Sequence, residues 1–338
     1  MNEYIEKVRN KENLRQAEIE DVMHIIMDGK ADDAHIEAFL LALREKGPTV
    51  DEITGAAKIM RKFVVGIETK HKDILDTCGT GGDKMNTFNI STVSALVVAG
   101  AGVVVAKHGN RSVSSQCGSA DVLEALGVNL DVEQKHLNTC LDEIGIAFLF
   151  AQKLHPAMKN VAAVRKKLGV ETIFNILGPL TNPAKATHQI LGVYNRDLVE
   201  PMAHVLKNLG LKRALVVHGS DGLDEITTTG KTFISEFDGR EIISYDISPE
   251  ELWFSPSTPK DLEGGNLQVN VSICEDILHD KGGPKQDIVL LNAAYALYAA
   301  EAVKSISQGL DVAKDTIESG KALKKLNELR NFTQSFNE

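Results

Sequence analysis

A glycine-rich segment from 76 to 83 carries the first chemical signal in this 338-residue sequence. It ends in Asp83 and places Gly79, Gly81 and Gly82 close together. Glycines at this density let backbone N–H groups converge on one point, because no Cβ atoms clash. Such a row of donors suits a phosphate or a diphosphate, although a plain tight turn is the commoner use of a segment like this. The spacing matches neither the Walker loop nor the Gly-x-Gly-x-x-Gly fingerprint, so the segment alone does not define a nucleotide site.

A second polar stretch gathers cations together with hydroxyl and amide groups. Lys107, His108, Asn110 and Arg111 are followed by a run of serines. Guanidinium, ammonium and hydroxyl donors match an anion with several phosphate oxygens. The alternative is a solvated basic loop, and His108 by itself is as consistent with a structural hydrogen bond as with catalysis.

Adjacent carboxylates occur at Asp224 and Glu225, in a loop that also contains glycine. Paired carboxylates suit Mg²⁺, which prefers a few carboxylates together with water and ligand phosphates. Ser91 could add a hydroxyl ligand from the other side of the pocket, and Asp83 could accept from ligand hydroxyls or cap the next turn. Taken alone, the acidic pair is also consistent with an exposed turn.

Three successive basic residues, Arg165, Lys166 and Lys167, lie in a helical pattern downstream of His155. Successive residues of a helix do not share a face, so we expect at most one of them to point inward. An inward arginine would offer a carboxylate a planar pair of donors. The alternative is that all three side chains are solvated.

The elements that would position these groups alternate between short apolar runs and helical patterns, which predicts an α/β fold with a mostly parallel central sheet. Ligands of such sheets bind outside the carboxyl ends of the strands. The glycine-rich, basic and acidic loops would therefore meet at one edge if their strands are neighbours. We predict Ser91 or Thr92 as the N-cap of the helix after the glycine-rich loop. The predicted strands are 74–75, 103–106, 146–150, 189–194 and 214–217, followed by a hairpin of 232–237 and 241–245.

The beginning of the chain differs from the rest, because it contains only helical patterns and no chemical motif. We predict a small helical domain over 1–70, joined by about 160–186, where two Gly/Asn-Pro steps indicate a return to that domain or a hinge. The larger α/β domain is predicted to comprise 73–155 and 187–338.

Composition excludes several classes of protein. The net charge of −10 argues against general nucleic-acid binding. The longest uncharged apolar run, 95–106, is shorter than the roughly 20 residues of a membrane span. The first ten residues show no secretory signal, and four cysteines are scattered without a C-x-x-C pair. We therefore expect a cytoplasmic protein with reduced cysteines, without membrane or nucleic-acid partners.

Taken together, the motifs resemble the anthranilate phosphoribosyltransferase family of tryptophan biosynthesis. They keep the family's order from about 76 to 226, and an ordered series of this length is not expected by chance. The matching segments are 79–83, 87–92, 107–112, 155–158, 172–180, 182–183, 218–219 and 221–225.

The resemblance implies a fold of the nucleoside phosphorylase and phosphoribosyltransferase type, with a helical domain hinged to an α/β domain. It implies a homodimer formed through the helical part. It also implies the substrates anthranilate and 5-phosphoribosyl 1-diphosphate (PRPP), with Mg²⁺ as cofactor and a pair of ions per subunit.

The resemblance also implies roles for individual residues. PRPP would be held by Gly79, Gly82, Asp83, Thr87, Asn89, Ile90, Ser91, Thr92, Lys107, His108, Gly109, Asn110, Arg111, Ser112, Val113, Ser114, Ser115 and Ser119. Anthranilate would be held by Gly79, His108, Asn110, His155 and Arg165. The metal would be held by Ser91, Asp224 and Glu225.

Two positions depart from the family's pattern. Gln152 stands where the family often has proline, and Glu171 stands where a basic residue is common. Both flank the expected anthranilate side.

Two alternatives remain open on the sequence. A pyrimidine nucleoside phosphorylase shares this architecture, but it needs no metal site for diphosphate, so the acidic pair separates the two. A non-catalytic, nucleic-acid-binding paralogue is the other, and the negative net charge weighs against it.

Overall fold

A seven-stranded sheet forms the centre of the computed structural model, which describes residues 1–111 and 117–336. The strands are β1 (Leu75–Gly79), β2 (Val105–Gly109), β3 (Ile146–Phe150), β4 (His188–Gly192), β5 (Arg213–Gly219), β6 (Thr232–Phe237) and β7 (Ile242–Ile247). Their order across the sheet is β3-β2-β1-β4-β5-β6-β7. The first five pair in parallel, and β6 and β7 form an antiparallel hairpin at one edge. The predicted α/β class with a mostly parallel sheet is confirmed.

The parallel strands are short and largely buried because helices cover both of their faces. Every residue of β3 and of β4 is buried, whereas the edge strand β7 exposes Ile243 and Ser244. The strand β4 separates β1 from β5, and Gly192 in β4 pairs with Gly79 on one side and Val217 on the other. The carboxyl ends of β1, β2 and β5 therefore lie on one edge of the sheet, with only β4 between them.

The start of the chain folds into α1 (Asn2–Arg9), α2 (Gln16–Met27), α3 (Asp33–Lys46) and α4 (Val50–Lys62). The helix α4 begins with a capping box, in which the Glu52 amide donates to Thr49 Oγ1 at 3.3 Å and the Thr49 amide donates to the Glu52 carboxylate at 2.7 Å. Further helices follow the strands: α5 (Ile90–Gly100), α6 (Ser119–Ala125), α7 (Gln134–Glu143), α8 (Ala151–Leu154), α9 (Lys159–Leu168), α10 (Ile173–Leu177), α11 (Val199–Asn208), α12 (Leu267–Leu278), α13 (Pro284–Ala299), α14 (Ile306–Glu318) and α15 (Lys321–Gln334).

Two apolar cores lie on opposite faces of the sheet. One joins α1–α4 with the segment 161–180, with α11 and with one face of β4 and β5. The other contains α5, α12 and α13 with the opposite face. Phe174 and Leu177 belong to the first core, beside Phe39 of α3. The segment that we expected to rejoin the helical part thus packs against it, while the exact domain limits stay a prediction.

The predicted N-cap of α5 was wrong. The helix begins at Ile90, so Asn89 is the N-cap and Ser91 and Thr92 lie inside the first turn. No side chain caps it locally; instead the Ser91 amide donates to Glu225 Oε1 at 3.2 Å. A carboxylate from a distant loop takes the place of a cap, which a local sequence pattern does not reveal. Across the described residues, no helix combines the length and the hydrophobicity that crossing a bilayer requires.

Candidate active site

The glycine-rich, basic and acidic loops meet at the carboxyl edge of the sheet, as the sequence predicted. The Gly81 amide donates to Asp224 Oδ2 at 2.8 Å, although the two residues are far apart in the chain. The Thr80 amide donates to the Gly192 carbonyl at 2.9 Å and fixes the base of the same turn. Positive φ angles at Gly81 and Gly82 allow this turn to close.

Two glycines make room for the turn that carries Asp224 and Glu225, which we call the acidic turn. A Cβ on Gly79 would overlap the Asp224 carboxylate, and one on Gly192 would overlap the Asp224 carbonyl. Neither has a positive φ, so space and not backbone freedom requires glycine at both. Gly79 was among the predicted site residues, whereas Gly192 was missed, because nothing in a strand sequence shows which loop will pass over it.

Burial disfavours the charged forms of Asp224 and Glu225. It raises the pKa of Asp224 to about 7, and the nearby Asp83 carboxylate adds to the effect. Burial likewise raises the pKa of Glu225 to about 8, with a further contribution from Asp224 and an opposing one from Lys107. Carboxylates this far above their ordinary range gain most from a cation that enters the site.

The donor set fits a magnesium ion that shares its coordination with a ligand. Asp224 and Glu225 supply carboxylate oxygens, and the Ser91 hydroxyl lies nearby, 3.2 Å from Lys107 Nζ. Across residues 1–111 and 117–336, no cluster of three or more His, Cys, Asp or Glu could hold a metal ion by itself. Mg²⁺ commonly binds through one or two carboxylates, with water and substrate phosphates completing the shell.

Lys107 lies beneath the glycine-rich turn rather than in solvent. Its Nζ donates to the Thr77 carbonyl at 2.6 Å and to Ser91 Oγ at 3.2 Å. Burial lowers its pKa, while the carboxylates of Asp76 and Glu225 work in the opposite direction. The ammonium therefore sits where it can balance negative charge at this edge of the sheet.

The remaining residues of the glycine-rich stretch also have structural partners. Asp83 accepts from the Met85 amide at 3.3 Å, so it caps a turn, and burial raises its pKa. Thr87 forms a bridge with Glu263. The Asn89 amide group donates to the Cys117 carbonyl at 3.2 Å. This stretch is thus tied to the loop that precedes α12.

Two polar atoms beside the turn are buried and have no partner among the described residues. They are Oδ1 of Asn89 and Oγ1 of Thr92. Buried polar atoms are nearly always hydrogen-bonded, so each unpaired atom calls for an explanation. An amide oxygen accepts only, whereas a hydroxyl can also donate.

The basic loop points partly away from the acidic pair. The guanidinium of Arg111 binds Asp121 at 2.8 Å and Glu124 at 2.8 and 2.9 Å, on α6. The Ser119 hydroxyl donates to the Asn110 carbonyl at 3.3 Å. The predicted residues Ser112, Val113, Ser114 and Ser115 lie outside the described residues.

A pair of buried histidines lies at the same edge of the sheet, where β2 ends at Gly109. Nε2 of His108 and Nε2 of His155 are 3.0 Å apart, and such a bond needs an N–H on one ring and a lone pair on the other. Burial lowers the pKa of His108 to about 3 and that of His155 to about 4. The His108 ring is also hydrogen-bonded to the Gly178 carbonyl. Both rings are therefore neutral at ordinary pH.

Of the three successive basic residues at 165–167 on α9, Arg165 alone turns inward, as predicted for one of them. Its guanidinium carbon lies 5.5 Å from the centre of the Phe174 ring, and burial lowers its pKa. Lys166 and Lys167 are exposed, and Lys167 pairs with Glu37 at 2.6 Å. No ion-pair partner is found for Arg165 within the described part of the chain.

The two departures from the family pattern occupy different surroundings. Gln152 is exposed at the start of α8. Glu171 is also exposed, but its Oε1 lies 3.9 Å from the position of a Cβ on Gly82. Glu171 therefore lies near the glycine-rich turn, which the resemblance assigns to PRPP.

Sequence reasoning missed a buried pair beneath the histidines. Asp76 accepts from the His108 amide at 3.1 Å and from Asn182 Nδ2 at 2.8 Å. Asn182 Nδ2 also donates to the Ala106 carbonyl at 2.8 Å. The available signal was a charged residue in a buried strand, whereas Asn182 was singled out only within an Asn-Pro step that breaks the chain and matches the family, without a role for its side chain.

The fold and the site together define a two-domain glycosyl transferase. Residues 71–323 match the model of the glycosyl transferase family, a/b domain, and residues 2–64 match that of its helical bundle domain.

Comparison with individual relatives identifies the family within this class of glycosyl transferases. The chain is 52% identical to an anthranilate phosphoribosyltransferase of Acetivibrio thermocellus, over 98% of this chain and 96% of the relative. The crystal structure of the Thermus thermophilus enzyme superposes with a TM-score of 0.93 at 39% identity, over 98% and 99% of the two chains. The Saccharomyces cerevisiae enzyme in complex with PRPP and Mg gives a TM-score of 0.91 at 27% identity, over 99% and 98%. The chain belongs to the anthranilate phosphoribosyltransferase family.

Proposed function

We propose that this chain transfers the phosphoribosyl group of PRPP to the amine of anthranilate, releasing diphosphate and forming N-(5-phosphoribosyl)anthranilate for tryptophan biosynthesis. One observation carries the proposal: a half-buried carboxylate pair lies against the glycine turn and the start of α5, where the Gly81 amide donates to Asp224 at 2.8 Å and the Ser91 amide donates to Glu225 at 3.2 Å. This arrangement suits a cation-bound diphosphate and has no use in a phosphorylase that takes free phosphate. The yeast relative was solved with PRPP and Mg, and also with 4-fluoroanthranilate, which supports both substrates.

Asp224, Glu225 and Ser91 would hold Mg²⁺, and we propose a pair of ions per subunit. When bound, the metal acts as a Lewis acid that neutralises charge on the diphosphate. Lys107 supports the same edge with a fixed positive charge. The raised pKa of each carboxylate supports this assignment, because the metal-free pair lacks a sufficient counter-charge.

The phosphoribosyl donor would lie along the glycine turn and the start of α5. Backbone amides at Gly82 and Asp83 face the phosphates. The unpaired Oδ1 of Asn89 suits a ribose hydroxyl, because it needs a donor, and the Thr92 hydroxyl suits a phosphate oxygen. The full proposed set is Gly79, Gly82, Asp83, Thr87, Asn89, Ile90, Ser91, Thr92, residues 107–115 and Ser119.

Anthranilate would bind between the histidine pair and α9. Arg165 supplies a planar donor pair to the carboxylate, and Asn110 and Gly79 contact the ring and amine. His108 and His155 offer neutral polar edges, which suit an uncharged aromatic amine. An aniline nitrogen is already neutral at about pH 7, so no strong base is needed before attack.

The reaction then follows from placement. The amine attacks C1 of the ribose with inversion as diphosphate leaves, through a state with positive charge on the sugar. Pre-oriented charges at the leaving group supply the main stabilisation. Closure of the two domains at the hinge would exclude water, which otherwise hydrolyses the donor.

We propose a cytoplasmic homodimer formed through the helical domain. Leu41 on α3 is 39% exposed and is an apolar side chain that such a contact would cover.

A direct assay tests the proposal. Anthranilate fluorescence should fall when PRPP and Mg²⁺ are added to the protein. Asp224→Asn combined with Glu225→Gln should reduce the rate by a factor on the order of 10³. Asp246→Asn is the matched control, because Asp246 is an exposed acid on β7 whose partner is Lys231. No turnover by the unaltered chain, or full turnover by the double variant, would refute the proposal.

A further inference from the structure

A buried asparagine on α13 forms hydrogen bonds with the backbone next to the acidic pair. The Ile226 amide donates to Asn292 Oδ1 at 3.0 Å, and Asn292 Nδ2 donates to the Ile226 carbonyl at 2.8 Å. The second Nδ2 hydrogen goes to the Ile288 carbonyl at 2.8 Å, within α13. The side chain is 3% exposed, so solvent does not compete for these bonds.

These hydrogen bonds fix the backbone at the end of the acidic turn. Ile226 follows Glu225 directly and is fully buried. It lies beyond the end of β5 and belongs to no strand, so sheet pairing does not hold it. A side-chain amide that pairs with both the N–H and the C=O of one residue replaces a neighbouring strand.

The helix that carries Asn292 is a firm anchor. Apolar residues of α13 are buried around its circumference, and the helix packs against α5 and α14. An unpaired amide would be costly among these side chains. The hydrogen bonds of the Asn292 side chain go to the Ile226 backbone and to the Ile288 carbonyl of the same helix.

The other end of the turn is fixed by packing and by local hydrogen bonds. Gly192 leaves room for the Asp224 carbonyl. Asp221 accepts from the Leu223 amide at 3.1 Å and from the Thr227 hydroxyl at 2.6 Å. The backbone that carries Asp224 and Glu225 is thus held on both sides.

We propose that Asn292 is a positioning residue for the acidic pair, and that it sets the direction of both carboxylates toward a divalent cation bound to diphosphate. This inference rests on the proposed function. Residues that orient metal ligands typically change metal affinity by about 10- to 100-fold when removed.

Binding of Mn²⁺ in the presence of PRPP, without anthranilate, tests the proposal by a readout that needs no turnover. Electron paramagnetic resonance counts free Mn²⁺ directly. Asn292→Leu keeps the branching of the side chain but removes its three hydrogen bonds, and should weaken Mn²⁺ binding about 10-fold or more. If Asn292→Leu does not fold, Asn292→Ser takes its place in the test. The serine side chain is too short to reach Ile226, so we expect the same weakening of Mn²⁺ binding.

Thr333→Val is the matched control for lost stability. Thr333 is buried on α15 and accepts from the Asn129 amide at 3.1 Å, at a loop that is not part of the site. This variant should melt earlier but bind Mn²⁺ as the unaltered protein does. A folded Asn292 variant with unchanged Mn²⁺ binding would overturn the inference. If Asp224→Asn also left Mn²⁺ binding unchanged, the metal assignment itself would be wrong, which is a separate failure.

Discussion

Burial has opposite consequences in the acidic turn and in the histidine pair. Desolvation raises the pKa of Asp224 and Glu225, so the metal-free turn holds protons near neutral pH. Desolvation lowers the pKa of His108 and His155, so these rings hold no extra proton. In both regions burial disfavours the charged form.

The difference shows how one cleft can serve two unlike substrates. The acidic turn is stabilised only when a cation arrives, which suits a highly charged diphosphate. The histidine pair is already satisfied by its own hydrogen bond and needs no ion. The predictions below test whether the two halves are independent.

Of the single substitutions, Gly192→Ala should have the largest effect, because a Cβ there would push the Asp224 carbonyl and displace both carboxylates. A misplacement of about 1 Å costs on the order of 100-fold in rate. We expect kcat/KM for PRPP to fall by that factor, measured by anthranilate fluorescence. Gly66→Ala is the control, since no atom lies within 4 Å of a Cβ at that position. Equal activity of the two variants would show that the acidic turn tolerates displacement.

Arg165→Leu should affect the aromatic half alone. Loss of a charged hydrogen bond predicts a rise in KM for anthranilate of about 10-fold or more, with KM for PRPP unchanged. Steady-state kinetics with each substrate varied in turn measures both constants. Lys166→Leu removes an exposed neighbour on the same helix and should change neither. A parallel rise in KM for PRPP would contradict the separation of the halves.

The acidic turn should make the metal-free protein less stable at alkaline pH. Its carboxyl pKa values are about 7 and about 8 in the fold but about 4 in the unfolded chain, so the folded state binds more protons. Stability is therefore lost as pH rises from the unfolded value of about 4, and the loss is complete once pH has passed the folded values. The melting temperature in chelator should fall by a few degrees between about pH 6 and about pH 9. Asp224→Asn with Glu225→Gln should flatten this slope, and an unchanged slope would refute the cause.

The histidine pair should produce a smaller effect of the opposite sign. Its pKa values lie below the unfolded value of about 6.5, so its contribution is lost as pH falls toward about 4 and about 3. In His155→Phe, one such group is removed, and the decline in melting temperature below about pH 6.5 should be shallower. His204→Ala, at an exposed position on α11, should retain the original decline. Identical curves for all three proteins would exclude the pair as the source.

Local patterns predicted the fold class, the strands and the loops that carry charge. The apolar run before His218 proved to be a buried strand, because period and composition determine it locally. The run before Lys107 predicted its strand only in part, because β2 begins at Val105 and continues through Lys107 and His108, which we expected in a loop. The acidic pair was found for the same reason, since its two members are adjacent in sequence.

Long-range partners could not be predicted from the sequence. Asp76 and Asn182 are 106 residues apart, and Ile226 and Asn292 are 66 apart. The wrong N-cap of α5 has the same cause, because Glu225 replaces a local cap. A pattern of neighbours along the chain carries no information about a hydrogen bond that only the folded topology creates.

The distance between Ile226 and Asn292 also bears on the order of synthesis. The ribosome completes the acidic turn before it makes α13, the helix that holds the turn. A nascent chain can therefore contain both carboxylates before the hydrogen bonds from Asn292 orient them. Competence to bind the charged substrate should arise late in translation, when the last third of the polypeptide has emerged and docked.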